Sequence, residues 1–184
     1  MVKLGAIYGL EQLSARSPND HSAVVSLLSA YVRATSEKRR SDIGSPNLSS
    51  IEEINDLVDR GERPTIDTQA ALTVLTRLPL RGDKRRAELE QAWLFGANLY
   101  EADLQFCSLR GAVLCCADMQ KATTGFTDLM HADLRRVDLK EAGVYNSYLL
   151  FAKTEGWETE GAKFIGNDTD EVADFLKTMM ENRN

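Results

Sequence analysis

From Ala87 to Gly166 the chain runs as sixteen consecutive five-residue units without insertion or deletion. The first slot of the unit holds alanine in eleven of sixteen cases, and the third holds leucine in ten, from Leu89 to Leu149. A period of five belongs neither to a helix nor to a plain strand, so this stretch must be a coil of short extended pieces joined by corners. In an extended piece, side chains one and three point to the same side and side chain two to the other. A small and a large apolar residue therefore face inward together, and slots four and five turn the corner. One unit cannot bury its leucine alone, so successive turns must stack to share a core. Writing the stretch in twenties makes three columns uniform: Ala92, Ala112, Ala132, Ala152; Ala102, Ala122, Ala142, Ala162; and Leu89, Leu109, Leu129, Leu149. The expectation is a four-sided prism of about four coils.

Tandem Ala-(Asp/Asn)-Leu-x-x over residues 87–166 resembles the pentapeptide-repeat proteins. The resemblance implies a mainly β fold, a right-handed quadrilateral β-helix. Trp157, too large for the small slot, and Thr154 and Thr159 in place of leucine suggest that the solenoid loosens toward its C-terminal end.

The flanks read as helical. Leu4, Ile7, Tyr8, Leu10 and Leu13 mark one amphipathic helix, and Val24, Leu27, Leu28, Tyr31 and Val32 a second. Residues 35–49, with a charged run and Gly44-Ser45-Pro46, read as a mobile linker. Ser50 to Glu53 matches a capping box for a helix that Gly61 ends, and a fourth helix is expected from Asp67 to Leu78. The domain reading is therefore a helical module over 1–86, the β-helix over 87–166 and a capping helix over 167–184, with Val172, Phe175, Leu176 and Met179 on one face. The stretches beginning at Leu4 and Asp67 resemble the helical region before the repeats of bacterial, often actinobacterial, pentapeptide-repeat proteins. In that group membrane spans often lie further upstream, so the alternative reading is the cytoplasmic part of a membrane-anchored protein.

Charge is uneven: residues 1–86 sum to +2, 87–166 to −5 and 167–184 to −3. An acidic repeat argues against direct nucleic-acid binding, which needs clustered Lys and Arg. Three cysteines, Cys107 inward and Cys115 and Cys116 expected outward at a corner, do not form a disulfide framework and suit a reducing cytoplasm. No apolar run in the chain is long enough for a membrane span. His21 and His131 are read as surface residues, and no phosphate loop or zinc-type spacing occurs. The expectation is a protein that is not an enzyme and needs no cofactor or metal.

Two surfaces are candidate sites. Asn98, Asp118, Asp138 and Glu158 form an outward column one coil apart, spaced about 4.8 Å. Some pentapeptide-repeat proteins resemble DNA and bind type II topoisomerases such as gyrase, so DNA mimicry is an alternative function. Over a rod of about 19 Å, duplex DNA carries on the order of 11 charges, far more than this solenoid. The second surface is apolar: Phe106, Phe126, Met130, Tyr145, Tyr148, Leu150, Phe151 and Ile165 line up when the chain is written in twenties. A contiguous patch of this kind marks an interface. The chain's own helical module is the first choice of cover, then a homodimer, then a separate protein partner of unknown identity. The reading overall is a non-catalytic protein-interaction scaffold.

Overall fold

The computed structural model describes residues 2–81 and 86–166. The expected capping helix over 167–184 lies outside them. Element order is α1 (Val2–Arg16), α2 (His21–Asp42), α3 (Ile51–Asp59), α4 (Ile66–Arg77), then the repeats, with three short strands β1 (Thr123–Gly125), β2 (Gly143–Tyr145) and β3 (Lys163–Ile165).

The repeats pair with themselves at an interval of twenty. Parallel bridges join Glu88 to Ser108, Trp93 to Val113, Asn98 to Asp118 and Asp103 to Thr123, and continue to Asp138 with Glu158. The strands β1, β2 and β3 form one parallel sheet in the same register. Four faces follow, each named here by its second-slot column. Face 1 carries Glu88, Ser108, Asp128 and Tyr148; face 2 Trp93, Val113, Asp133 and Lys153; face 3 Asn98, Asp118, Asp138 and Glu158; face 4 Asp103, Thr123, Gly143 and Lys163.

Most corners are built the same way. The first-slot amide donates back to the third-slot carbonyl of the preceding unit, as in Ala112 N–H to Leu109 O at 2.9 Å. The fifth-slot residue between them has positive φ, as the third residue of a type II turn requires. All sixteen fifth slots do this, eleven with non-glycine residues (φ +46 to +60°) and five with glycine. Left-handed backbone costs a non-glycine residue roughly 1–2 kcal/mol, a cost the stacked ladder and core must offset at each corner. Inside, Leu104, Leu109, Leu114 and Ala132 are fully buried.

Stacking leaves the first turn with backbone groups that no earlier turn can satisfy. Within the solenoid the second-slot amide donates to the turn before it, as Ser108 N–H does to Ala87 O at 2.8 Å. In the first turn, side chains of the helical module take that place: Glu88 N–H donates to Ser29 Oγ at 3.2 Å and Trp93 N–H to Ser36 Oγ at 3.2 Å. Gln69 acts as a surrogate peptide for Asn98, accepting its N–H at 3.0 Å and donating to its carbonyl at 2.7 Å. Arg86, itself buried, donates to Asp103 O at 3.0 Å. The module thus covers an exposed β edge with matched hydrogen-bonding groups. Accordingly Ser36→Ala, which strands the buried Trp93 amide, is expected to cost about 1–3 kcal/mol in chemical denaturation. Faster hydrogen exchange at the Trp93 amide than at Val113 checks the cause.

The core is continuous across the junction. Apolar residues of α1, α2 and α4, among them Ile7, Leu28, Leu72 and Leu75, join the alanine and leucine columns in one cluster. A second cluster holds Leu48, Ile54, Leu57, Trp93, Phe95 and Cys115, so α3 lies along face 2. Its capping box is formed as expected, with Glu53 N–H donating to Ser50 Oγ at 3.3 Å.

Three expectations require correction. The linker placed over 35–49 is helical as far as Asp42, because its polar residues find tertiary partners. Ser36 bonds the first turn, and Arg39 makes a two-pronged pair with buried Glu62 at 2.8 and 2.7 Å. Arg40 lies 5.5 Å over the Trp93 ring. Cys115 does not face out: the second cluster closes over it, and it is fully buried. Nor does the repeat loosen at Trp157. Bridges reach Glu158, and the indole sits inside, donating from Nε1 to Leu134 O at 2.8 Å and stacking on Phe164 at 6.0 Å. Thr154 and Thr159, both shorter than leucine, occupy the adjoining third slots.

Candidate functional site

The second slot explains most of the acids before any function is needed. Asn98, Asp103, Asp118, Asp128, Asp133 and Asp138 each accept the amide two residues on, at 3.0–3.4 Å, bracing the corner. This is the Asx turn, in which a short polar side chain mimics a backbone acceptor. On face 3 the candidate column is further compensated, because Lys140 pairs with both Asp138 and Glu158. Asn98 is held by Gln69. A column in which Asn98 is uncharged and Asp138 and Glu158 share Lys140 is weak ground for DNA-like charge.

Asp133 on face 2 has the most enclosed environment of these acids. Its carboxylate takes Arg135 Nε at 2.8 Å and the Cys115 thiol at 2.9 Å, with Lys153 Nζ at 3.6 Å. Arg135 also donates to Leu48 O at 2.8 Å, and Arg136 reaches Asn55 at 2.6 Å, tying α3 and its approach to the third turn. Burial alone would raise the Asp133 pKa, but the Arg135 and Cys115 hydrogen bonds and the nearby cations outweigh it and hold the carboxyl below its ordinary value. Sequence reasoning missed this node. The signal in the sequence was an arginine pair, Arg135-Arg136, at a corner whose other turns hold Phe95-Gly96, Cys115-Cys116 and Glu155-Gly156.

No catalytic constellation emerges from the remaining chemistry. Burial pushes the Cys107 thiol up to about 12, and it raises Cys115 and Cys116 as well, so none is poised as a thiolate. His21 meets Ser14 at 2.7 Å, but that serine is fully buried, and burial with the Arg81 and Arg86 charges lowers the His21 pKa. Among the described residues no three His, Cys, Asp or Glu side chains could hold a metal, and no helix is long and apolar enough to cross a membrane.

The apolar residues divide in two. Phe106, Phe126, Met130 and Tyr148, with Cys107, Ser108 and Asp128, line a groove of about 410 Å³ along face 1. The Phe106 and Phe126 rings stack at 5.3 Å, one turn above the other. Phe126 is 50% exposed and Tyr148 45%. Phe151 (55% exposed) stacks on His131 at 5.0 Å on the next corner, beside half-buried Leu150. Tyr145 does not join the groove, since its ring folds over Gly143, where a Cβ would lie 2.4 Å from it. Ile165 is exposed near the last corner. No described residue of the helical module, expected as the cover, lines the groove. The module's hydrogen-bonding groups match the first-turn edge and its third helix fits face 2.

Comparison with known proteins agrees with the repeat. A family described as Pentapeptide repeats (8 copies) matches residues 92–123. No curated protein sequence matches the chain. Among solved structures, a pentapeptide-repeat protein from the cyanobacterium Cyanothece 51142 is 26% identical over 42% of this chain and 54% of its own, with TM-score 0.42. Another, from Nostoc PCC 7120, is 20% identical over 68% of this chain and 91% of its own, also at 0.42. QnrB1, a plasmid-mediated fluoroquinolone resistance protein, is 11% identical over 53% and 74%, at 0.20. The chain thus spans about half the length of the first of these structures. With an unbroken five-residue period, bridges every twenty residues and a family match over residues 92–123, the region 87–166 of this chain consists of pentapeptide repeats.

Proposed function

We propose that this protein is a non-catalytic protein-interaction scaffold: a right-handed, four-sided β-helix of four turns that presents face 1 to a protein partner. The observation that carries this reading is the exposed aromatic surface. Phe126, Tyr148 and Phe151 are each about half exposed on a rigid frame, whereas the buried apolar residues of the module pack on the first turn and face 2. Contiguous exposed apolar area of this kind marks contact with another molecule, and aromatic anchors dominate such contacts.

The expected outcome is that Phe126→Ser with Phe151→Ser leaves thermal unfolding within about 1 kcal/mol of the parent, because both rings are half in water already. The same pair should abolish cross-linking to the partner in cell extracts. Asp118→Asn with Asp138→Asn, which keeps the corner acceptors, should leave cross-linking intact. Loss with the face 3 pair and retention with the face 1 pair would overturn the assignment. Inhibition of gyrase supercoiling that depends on Asp118 and Asp138 would point to DNA mimicry instead.

A further inference from the structure

The face 1 groove is lined by Phe106, Phe126, Met130 and Tyr148 together with one carboxylate, that of Asp128. Asp103, Asp133, Asp138 and Glu158 each have a cationic partner within the fold. Asp128 has none among the described residues; its Oδ1 accepts Met130 N–H at 3.0 Å. Arg110, on a corner of the same face, directs its guanidinium to the Met130 sulfur at 3.3 Å. Asp118 also lacks a cation, but the one aromatic ring of the cleft beside it, Phe95, is buried. Glu88 faces a different cleft, one that already holds Arg81 and Arg86.

A carboxylate set among the rings of Phe106, Phe126 and Tyr148 offers two interactions at once to a planar cation: a charge-assisted hydrogen bond and an aromatic face. Guanidinium suits this better than ammonium, because it is planar, stacks on rings and is more weakly hydrated. The net charge of −5 over residues 87–166 also favours the approach of a basic segment. Resting on the interaction reading above, we infer that the face 1 groove receives an arginine of a basic, apolar-flanked segment of the partner protein, its guanidinium stacked on the aromatic wall and bonded to Asp128.

The test uses the 15N-labelled full chain titrated with acetyl-Leu-Arg-Leu-Arg-amide and with the same peptide carrying citrulline, a neutral isostere, for both arginines. The arginine peptide should shift the amide signals of Phe106, Ser108, Phe126, Asp128 and Tyr148 and bind about fivefold more tightly than the citrulline peptide, the size expected of one partly exposed ion pair. Asp128→Asn retains the acceptor for Met130 N–H, so it should erase that difference without unfolding the corner; Asp118→Asn should leave it unchanged. Equal binding of the two peptides at face 1 would overturn the arginine assignment while leaving face 1 as an interface. Shifts centred on Asp118 and Asp138, or no shift on face 1 with millimolar peptide, would overturn the inference too. Whether face 1 is an interface at all is decided separately by the cross-linking of the Phe126 and Phe151 variants.

Discussion

Leu109→Asp unfolds the solenoid. The side chain is wholly buried in the continuous core, and a carboxylate there has neither water nor a cation, so it must either stay charged in an apolar interior or fold as the neutral acid. Either way the cost rivals a small domain's entire stability of roughly 5–15 kcal/mol. Ala132→Trp tests the small slot in the same way, since Ala132 is fully buried with standard inward neighbours, Leu134 among them. Where Trp157 places an indole in that slot, threonines stand in place of leucine beside it. The comparison is outward Gln120→Asp, expected to change stability by about 0.5 kcal/mol or less. Thermal unfolding followed by circular dichroism separates these cases, and equal midpoints for all three would contradict the inward assignment of slots one and three.

Asp133→Ala is expected to be the most damaging change to the junction between α3 and the repeats. It leaves the Arg135 guanidinium, 13% exposed, without its carboxylate, and it removes the acceptor of the Cys115 thiol. Removing one member of an enclosed ion pair costs about 3–5 kcal/mol, because the surviving charge stays desolvated. The pH dependence follows from the depressed Asp133 pKa. A carboxyl whose folded pKa lies below its unfolded value contributes stability that is fully present above the unfolded value, about 3.9, and is lost as pH falls through the folded one. The parent should therefore lose stability from this source only below about pH 4. Asp133→Ala should lose it at every pH, so the gap between the two narrows in acid. A gap that stays constant from pH 7 to pH 3 would show that Asp133 contributes through shape and not through charge.

Much of the molecule was legible in the chain because the repeat is a local code read many times. The alternation of Ala and Leu states which side chains point inward, and the twenty-residue columns state which residues stack. Aromatic residues at Phe106, Phe126 and Tyr148 could be placed together on that basis alone, and the structure groups them in one groove. What failed lay where partners are distant in sequence. Residues 35–42 look like a linker by composition, yet Ser36, Arg39 and Arg40 gain partners at Trp93 and Glu62 that hold them helical. Cys115 looks like a corner residue facing water, and only the docking of α3 encloses it.

The sequence by itself determined the solenoid, its register and the alignment of its outward columns, since each depends on a period written into consecutive residues. Only the tertiary structure decided which surfaces stay open. Gln69, Ser29 and Ser36 match the unpaired backbone of the first turn, and Ile54 and Leu57 match the apolar part of face 2. These complementarities direct the module there, so that no described residue of it lines the face 1 groove, with Asp128 lacking a cation among the described residues. Such pairings join residues tens of positions apart, and their hydrogen-bond and packing geometry exists only once both parts have folded.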